Sequence, residues 1–518
     1  MLPQPTHYSL SSEQNPSDSY LTFGRVLFCT ALIAAALLNT PIIQAQPSAP
    51  DTTHWTRNPH IVATPDTLPR RYNSNAAPYL IVKKISLKGN KRTKDRIILR
   101  ELDFRVGDTL QIADLEAIFK KNRNQVYNTS LFNDVAVRIA AWRNKEAELL
   151  ISVEERWYIF PVPIFQLTDR NFNDWWVTHQ RDLRRTEYGF QFIHYNFRGR
   201  REKLKILFQL GYTQKFELNY QVPFLDRQGK TGISFSGNYI TNREVAWRTF
   251  GNRQEFYRDT LENLRSRFRV GASITHRPNV QESHNLGINY TINHIKDYVA
   301  QINPDYFLDG RSRQAYPHFN YTYTADYRDI RPYPLHGYFF RLNFNKLGLS
   351  SSSDINMMSL WMGYTHYFQL GKRWYGLANA HGRISFPERQ PYYNQQGLGY
   401  GTSYLRGYEY YVIDGQYFGL LRTALKYELL NVKFKNPLLK GDQFRTLPLA
   451  IYLKTYLETA YVKDAYYAAN NPLSNKWLGA CGLGIDIFSV YDMVLSLEYS
   501  FNAERESGFF VSFRTNYD

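Results

Sequence analysis

Cysteine is nearly absent from this 518-residue chain: there are two, and Cys29 lies in a segment expected to be removed on export. With Cys481 alone left, no disulfide can form within the mature chain. Long hydrophobic runs are equally scarce. The one present, Arg25 to Leu38 (RVLFCTALIAAALL), is too short to span a bilayer and is followed by PIIQAQP, with small Ala45 at a suitable cleavage point. It predicts a secretory signal over residues 1–45, with a buried hydrophobic helix as the alternative. The apolar run continues past Cys29, which argues against lipid attachment there.

Catalytic signatures are missing too. There is no Gly-x-Ser-x-Gly, no His-Glu-x-x-His and no Cys-x-x-Cys, and the 12 histidines are scattered. The glycines of GLGYG and GACGLG do not follow a strand and open a helix, as a nucleotide cradle requires. The chain is therefore expected to be no enzyme and to carry no cofactor and no metal.

Aromatic residues are what it has in abundance. They make up 16% of the chain, with 41 Tyr and 33 Phe, yet the mean hydropathy is polar at −0.48. A net charge of +17 suits nucleic acid, acidic lipid or an acidic client. Export removes nucleic acid from that set, and the basic residues are spread singly, as on a solvated surface or a pore lining.

Residues 46–77 are rich in Pro, Thr, Asn and Asp without periodicity, which predicts a flexible leader. Over 78–156 the pattern reads strand, helix, helix, strand, strand. YLIVKKISLKGN is a strand closed by a Gly-Asn turn, and Thr93 is placed to cap a short helix with Ile98 and Leu102 on one face. A second helix is expected from about Ile112 to Tyr127, with Leu115, Ile118, Phe119 and Val126 as its apolar stripe. FNDVAVRIAAW and EAELLISVEER supply the last two strands.

From 157 to 518 the period changes to two. In KFELNYQV, Phe216, Leu218, Tyr220 and Val222 oppose Lys215, Glu217, Asn219 and Gln221. LKILFQL, HGYFFRLNF and DMVLSLEYSF behave alike. A soluble sandwich also alternates, but rarely for so long without a break. A transmembrane barrel needs an apolar outer face, tolerates a polar lumen and satisfies every backbone group by closure. Its aromatics form girdles at the membrane interfaces. At about 22 residues per strand with its connection, roughly sixteen strands fit. The expected fold is mainly β: an antiparallel transmembrane β-barrel preceded by one small α+β domain.

Four pieces in order, ISLKGNKRTKDRIILREL, GDTL, LFNDVAVRI and LLISVEER, resemble a POTRA domain, the periplasmic module of the outer-membrane assembly and translocation superfamily. The barrel half resembles the barrel of the same superfamily. DYRDIRPYPLHGYFFRL is similar to its Asp-Arg…Pro…Gly-Tyr strand-turn-strand segment. YLRGY, Tyr404 to Tyr408, is similar to its Val-Arg-Gly-Phe/Tyr signature in the sixth extracellular loop.

A guanidinium held inside a barrel costs several kcal/mol unless a carboxylate meets it. Alternation on LAIYLKTYLETAYV turns Lys454 and Glu458 inward, and on CGLGIDIF it turns Asp486 inward. The resemblance implies that Arg406 folds back to an acid on a following strand. Here Glu458 stands at the place usually held by Asp, and Asp486 is the second choice. Gly407 is expected to allow close packing or positive φ, and Tyr408 to wedge against the wall. The alternative for Arg406 is a solvated loop arginine.

The final strand, GFFVSFRTNYD, points Phe509, Val511 and Phe513 outward. Its closure against EYGFQFIHYNF, taken as the first barrel strand, would form the lateral seam that the resemblance implies. The function implied is insertion or translocation of client polypeptides, with capture of an extended segment on the POTRA edge strand. Partners are then outer-membrane lipid, an unfolded or extended client polypeptide and periplasmic accessory proteins, with no nucleic acid. Alternatives are a channel or lipid-export pore with a POTRA docking domain, and an outer-membrane lipase, for which no nucleophile and base are found.

Overall fold

The structure, a computed structural model, describes residues 78–167, 183, 186–226, 228–259, 261–349, 353–400, 403–435, 446–489 and 492–514. The signal and leader expected over 1–77 lie outside the described residues.

The small domain consists of β1 (Tyr79–Lys88), α1 (Asp95–Leu99), β2 (Thr109–Gln111), α2 (Leu115–Tyr127), β3 (Phe132–Arg143) and β4 (Glu146–Glu155). Its sheet runs β2-β1-β4-β3, with β1 parallel to β4 and the other pairs antiparallel. Leu80, Ile98, Val126, Phe132, Leu149 and Ile151 make a sealed core between helices and sheet. Gly89 ends β1 at φ +99, where a Cβ would stand 1.9 Å from the Val153 carbonyl oxygen, so no other residue fits the turn.

Two local readings are corrected. Strand β2 was not expected; three residues are too few to leave a period. Thr93 caps nothing, since α1 starts after Lys94 without a side-chain cap. Its hydroxyl instead lies 3.0 Å from the Tyr158 hydroxyl and accepts from Asn196 Nδ2, so it bonds across the junction with the barrel.

Sixteen antiparallel strands, from Ile159–Leu167 to Ser507–Arg514, build the barrel sheet. A hairpin, Glu244–Phe250 with Arg253–Arg258, forms its own two-stranded ribbon in one connection. Alternation decides the two faces. Phe190, Ile288, Leu457, Leu483 and Val511 are exposed on the outside, whereas Gln191, Gln209, Asn293, Gln314 and Ser500 are buried within. Among the described residues no helix is long and apolar enough to cross a membrane.

The first barrel strand is not EYGFQFIHYNF. That segment lies in the second strand, Thr186–Phe197, which pairs on one side with Ile159–Leu167 and on the other with Glu202–Gly211. The true first strand, IFPVPIFQL, is apolar at every position but Gln166 and carries Pro161 and Pro163, so it shows no period of two. Among the described residues no ladder joins the first and last strands.

The small domain is fastened to the near end of the barrel by buried polar contacts. Arg156 meets Asp492 at 2.6 Å, both side chains nearly solvent-free, and Tyr127 donates to the same carboxylate. Beside it, Glu101 lies within 3.5 Å of Arg100, Arg201 and Arg277. Asn128 bonds to Asp329, just before the RPYPLHG turn, and to Arg331 within it.

Candidate functional site in the barrel lumen

The sixth connection at the far end of the barrel runs between the strands Trp374–Phe386 and Tyr417–Lys435 and turns back into the lumen. Its apolar residues drive this. Leu398, Leu405, Tyr408 and Ile413 pack with wall residues Phe418, Leu420, Ala460 and Leu478 in one buried cluster. Tyr408 is 1% exposed. Gly407 takes φ +80, and its carbonyl accepts from Asn502 Nδ2 at 2.8 Å, which ties the loop to the penultimate strand. A Cβ at Gly407 would stand 3.3 Å from the Cβ of Asn502, so both backbone conformation and space favour glycine.

Arg406 reaches into a charged layer beneath that cluster. Its Nε lies 3.2 Å from Glu458 Oε1, and its backbone N–H donates to Glu458 Oε2 at 3.1 Å. Its Nη1 lies 3.4 Å from Glu498 Oε1, an ion-pair contact without hydrogen-bond alignment. The guanidinium also covers the Tyr456 ring at 4.3 Å. Arg422, directly opposite Glu458 in the ladder, shares that carboxylate at 3.4 Å and donates to the Tyr404 carbonyl of the loop. The Glu458 side chain is fully solvent-free.

Asp486, the second choice of partner, is used elsewhere. It binds Lys454 and accepts from Tyr333 at 2.9 Å and Ser496 at 2.6 Å. Lys454 in turn contacts Glu498 at 2.8 Å. Arg406, Arg422 and Lys454 thus face Glu458, Glu498 and Asp486, and Lys426, buried and directly opposite Lys454 in the ladder, adds a further cation. Such pairing matters, because one uncompensated ion there would cost several kcal/mol. Glu498 was missed, although alternation along DMVLSLEYSF turns it inward with Ser496 and Ser500.

Below this layer the RPYPLHG turn closes the near end. Tyr333 stacks on Tyr452 with ring centroids 4.7 Å apart and packs with Leu335, Tyr375 and Phe488. The lumen is therefore filled in three tiers: loop cluster, ion layer, aromatic floor. At the seam, Phe509 and Val511 are about 60% exposed on the outer face. Phe513 pairs with Leu495 through its backbone, and its side chain lies outside the described residues.

At the junction, burial by itself raises the Glu101 carboxyl, but the guanidiniums of Arg277, Arg201 and Arg100 outweigh it and hold the group below its ordinary value. Burial pushes Arg201 down to about 9 despite Glu101, with Arg277 adding to the effect. Three arginines lean on one carboxylate beside a cavity of about 320 Å³.

Comparison with known proteins places these features. Residues 80–156 match the POTRA model, described as a surface antigen variable number repeat, and residues 196–454 match the Omp85 superfamily domain. No curated protein matches significantly. Among solved structures, the chain is similar to BamA from Haemophilus ducreyi lacking POTRA domains 1–3, at 14% identity and a TM-score of 0.48, covering 84% of this chain and 85% of that one. It is also similar to CdiB from Escherichia coli, at 14% and 0.48, covering 84% and 75%. CdiB from Acinetobacter baumannii gives 11% and 0.43, covering 84% and 73%.

Proposed function

Because the chain belongs to the Omp85 superfamily of outer-membrane barrels, we propose that it captures extended client polypeptides in the periplasm and inserts or translocates them at the outer membrane. The signal expected over 1–45 directs export, and the small domain over 78–156 is the periplasmic receptor. Its sheet ends in β3, twelve residues long, whose outer edge, past the Phe132 and Val135 carbonyls that accept from Arg156 and Arg123, offers main-chain donors and acceptors to an added strand irrespective of side-chain sequence. The opposite edge, β2, has only three residues.

One observation carries the reading: the loop bearing Arg406 is fixed inside the lumen by a layer of buried ion pairs. A barrel filled in this way is a poor passive channel, and the stretch of wall between first and last strands is left as the route for a client. Arg406, Gly407 and Tyr408 form the lock and Glu458 its acid; Phe509, Val511 and Phe513 line the seam. Client folding supplies the free energy.

The test uses liposomes containing the purified full chain and a urea-unfolded eight-stranded outer-membrane barrel. Folding at least tenfold faster than in empty liposomes is expected. An unchanged rate would reject insertion.

A further inference from the structure

Where the small domain meets the barrel, a cleft of about 320 Å³ opens, within the range of sites for small ligands. One wall is a single face of α2 and its C-terminal cap. Ala117, Lys120, Lys121, Asn124, Gln125 and Asn128 recur there at the three- and four-residue intervals that put side chains on one side of a helix. The facing wall is built from near-end turns of the barrel, which bring in Arg201, Arg277, Arg328 and Arg331.

Six cations therefore line the cleft, against the carboxylates of Glu101, Asp326 and Asp329. All three acids are already engaged. Arg277 and Arg201 share Glu101 at 3.4 and 3.5 Å, Arg328 and Arg331 share Asp326 at 2.7 and 2.8 Å, and Asp329 accepts from the backbone of Leu335 and His336. Lys121 pairs with Asp103 at 2.8 Å, whereas Lys120 has no ion pair among the described residues. Positive charge is left in surplus. Burial first, then repulsion from Arg277, Arg331 and Arg100, lowers Arg201 against the pull of Glu101, and an anion seated among them would relieve that repulsion. Gln125 adds an unmet need of the other kind. It is 7% exposed, its Nε2 donates to Asp103 Oδ1 at 3.0 Å, and its buried Oε1 has no partner among the described residues. Such an acceptor is costly until a donor reaches it. These walls together suit an anion that also carries a hydroxyl.

The mouth of the cleft points to where such a ligand comes from. Tyr327 lines it and is also exposed on the outer wall, where its ring stacks on Tyr338 at 4.8 Å and the band continues to Tyr364. Trp374, packed on Tyr427 at 4.9 Å, lies at the same end of the barrel. Aromatic bands of this kind sit at the headgroup level of a membrane. We propose that the cleft holds the phosphodiester headgroup of an anionic, hydroxyl-bearing phospholipid of the phosphoglycerol kind, bound between the small domain and the barrel. The cations meet the phosphate oxygens, and Gln125 Oε1 accepts from a glycerol hydroxyl. Lys120, Lys121 and Gln125 come from the domain and the arginines from the barrel, so neither part makes the site alone. The inference goes beyond the insertion reading and does not rest on it.

The experiment titrates the full chain, delipidated in maltoside micelles, with dioleoyl phosphatidylglycerol, with phosphatidylmethanol, which has the same charge but no hydroxyl, and with zwitterionic phosphatidylcholine. Native mass spectrometry counts the lipid retained per chain. One phosphatidylglycerol should be held, about tenfold more tightly than phosphatidylcholine and severalfold more tightly than phosphatidylmethanol. Lys120→Gln with Lys121→Gln, both exposed and so harmless to folding, should weaken phosphatidylglycerol about tenfold. Lys83→Gln with Lys84→Gln, exposed on β1 and outside the cleft, should leave it unchanged. Gln125→Met should erase only the preference over phosphatidylmethanol. Equal retention of all these lipids by the native chain, or equal weakening by the two lysine pairs, would overturn the site in favour of diffuse surface charge. Soluble glycerophosphoglycerol competing at the concentration of the lipid would overturn the membrane source and leave a site for a free phosphodiester. A preference over phosphatidylmethanol that survives Gln125→Met would overturn the role of that residue.

Discussion

Replacing Glu458 with Gln removes the negative charge shared by Arg406 and Arg422 while keeping size and one acceptor. The carboxylate is solvent-free, and both guanidiniums lie within 3.4 Å of it. Removing one partner of a buried ion pair costs about 3–5 kcal/mol, because the remaining charge is left uncompensated. Glu498, 3.4 Å from Arg406, takes up part of the load, so the lower end applies. A loss of about 3 kcal/mol corresponds to roughly a hundredfold rise in the population of the released loop. Hydrogen exchange and limited proteolysis of residues 403–415 in the membrane-embedded protein read that population. The loop should become protease-sensitive while the strands stay protected. Unchanged exchange across 403–415 would refute the reasoning that this carboxylate holds the loop.

Other perturbations report on neighbouring parts. Tyr408→Ala empties a site that is 1% exposed; a loss of about 3–5 kcal/mol is expected of a buried aromatic, seen as a lower unfolding midpoint. Asp492→Asn keeps a residue suited to the left-handed backbone at φ +61 but breaks the pair with Arg156, and cross-linking between β4 and the barrel turn should fall severalfold. Acid should loosen the same junction. The Glu101 carboxyl is held below its ordinary 4.5 when docked, so its contribution is complete above that value and is lost as pH falls through the lowered one. Titrating that cross-link from pH 6 to 3 should show the decline, and Glu101→Gln should abolish the pH dependence.

What could be read from the chain followed physical periods. Alternation along LAIYLKTYLETAYV places Lys454 and Glu458 inward because a barrel wall allows only two orientations, and both are buried while Leu453 and Leu457 are exposed. Positive φ at Gly407 is likewise a backbone demand that glycine signals in advance. Where alternation fails, so does the reading. Ile159–Leu167 leaves no alternation, because both faces are apolar except at Gln166 and two prolines interrupt it, so the sequence shows a first strand only at EYGFQFIHYNF. Strand β2 was too short to show a period, and Thr93 fits a cap by type although its partners, Tyr158 and Asn196, lie far along the chain. Choosing between Glu458 and Asp486 needed three dimensions: both point inward, and only depth along the barrel assigns one to Arg406 and the other to Lys454.

Arg406→Ala tests the central claim most directly, measured in liposomes for two quantities at once: folding rate of the added unfolded barrel and ion conductance. The account predicts that the native chain accelerates folding, that the variant loses this acceleration, and that the loop is required by the machine. Undiminished or absent acceleration in both proteins, with conductance rising in the variant, would contradict it and make the arginine the plug of a channel.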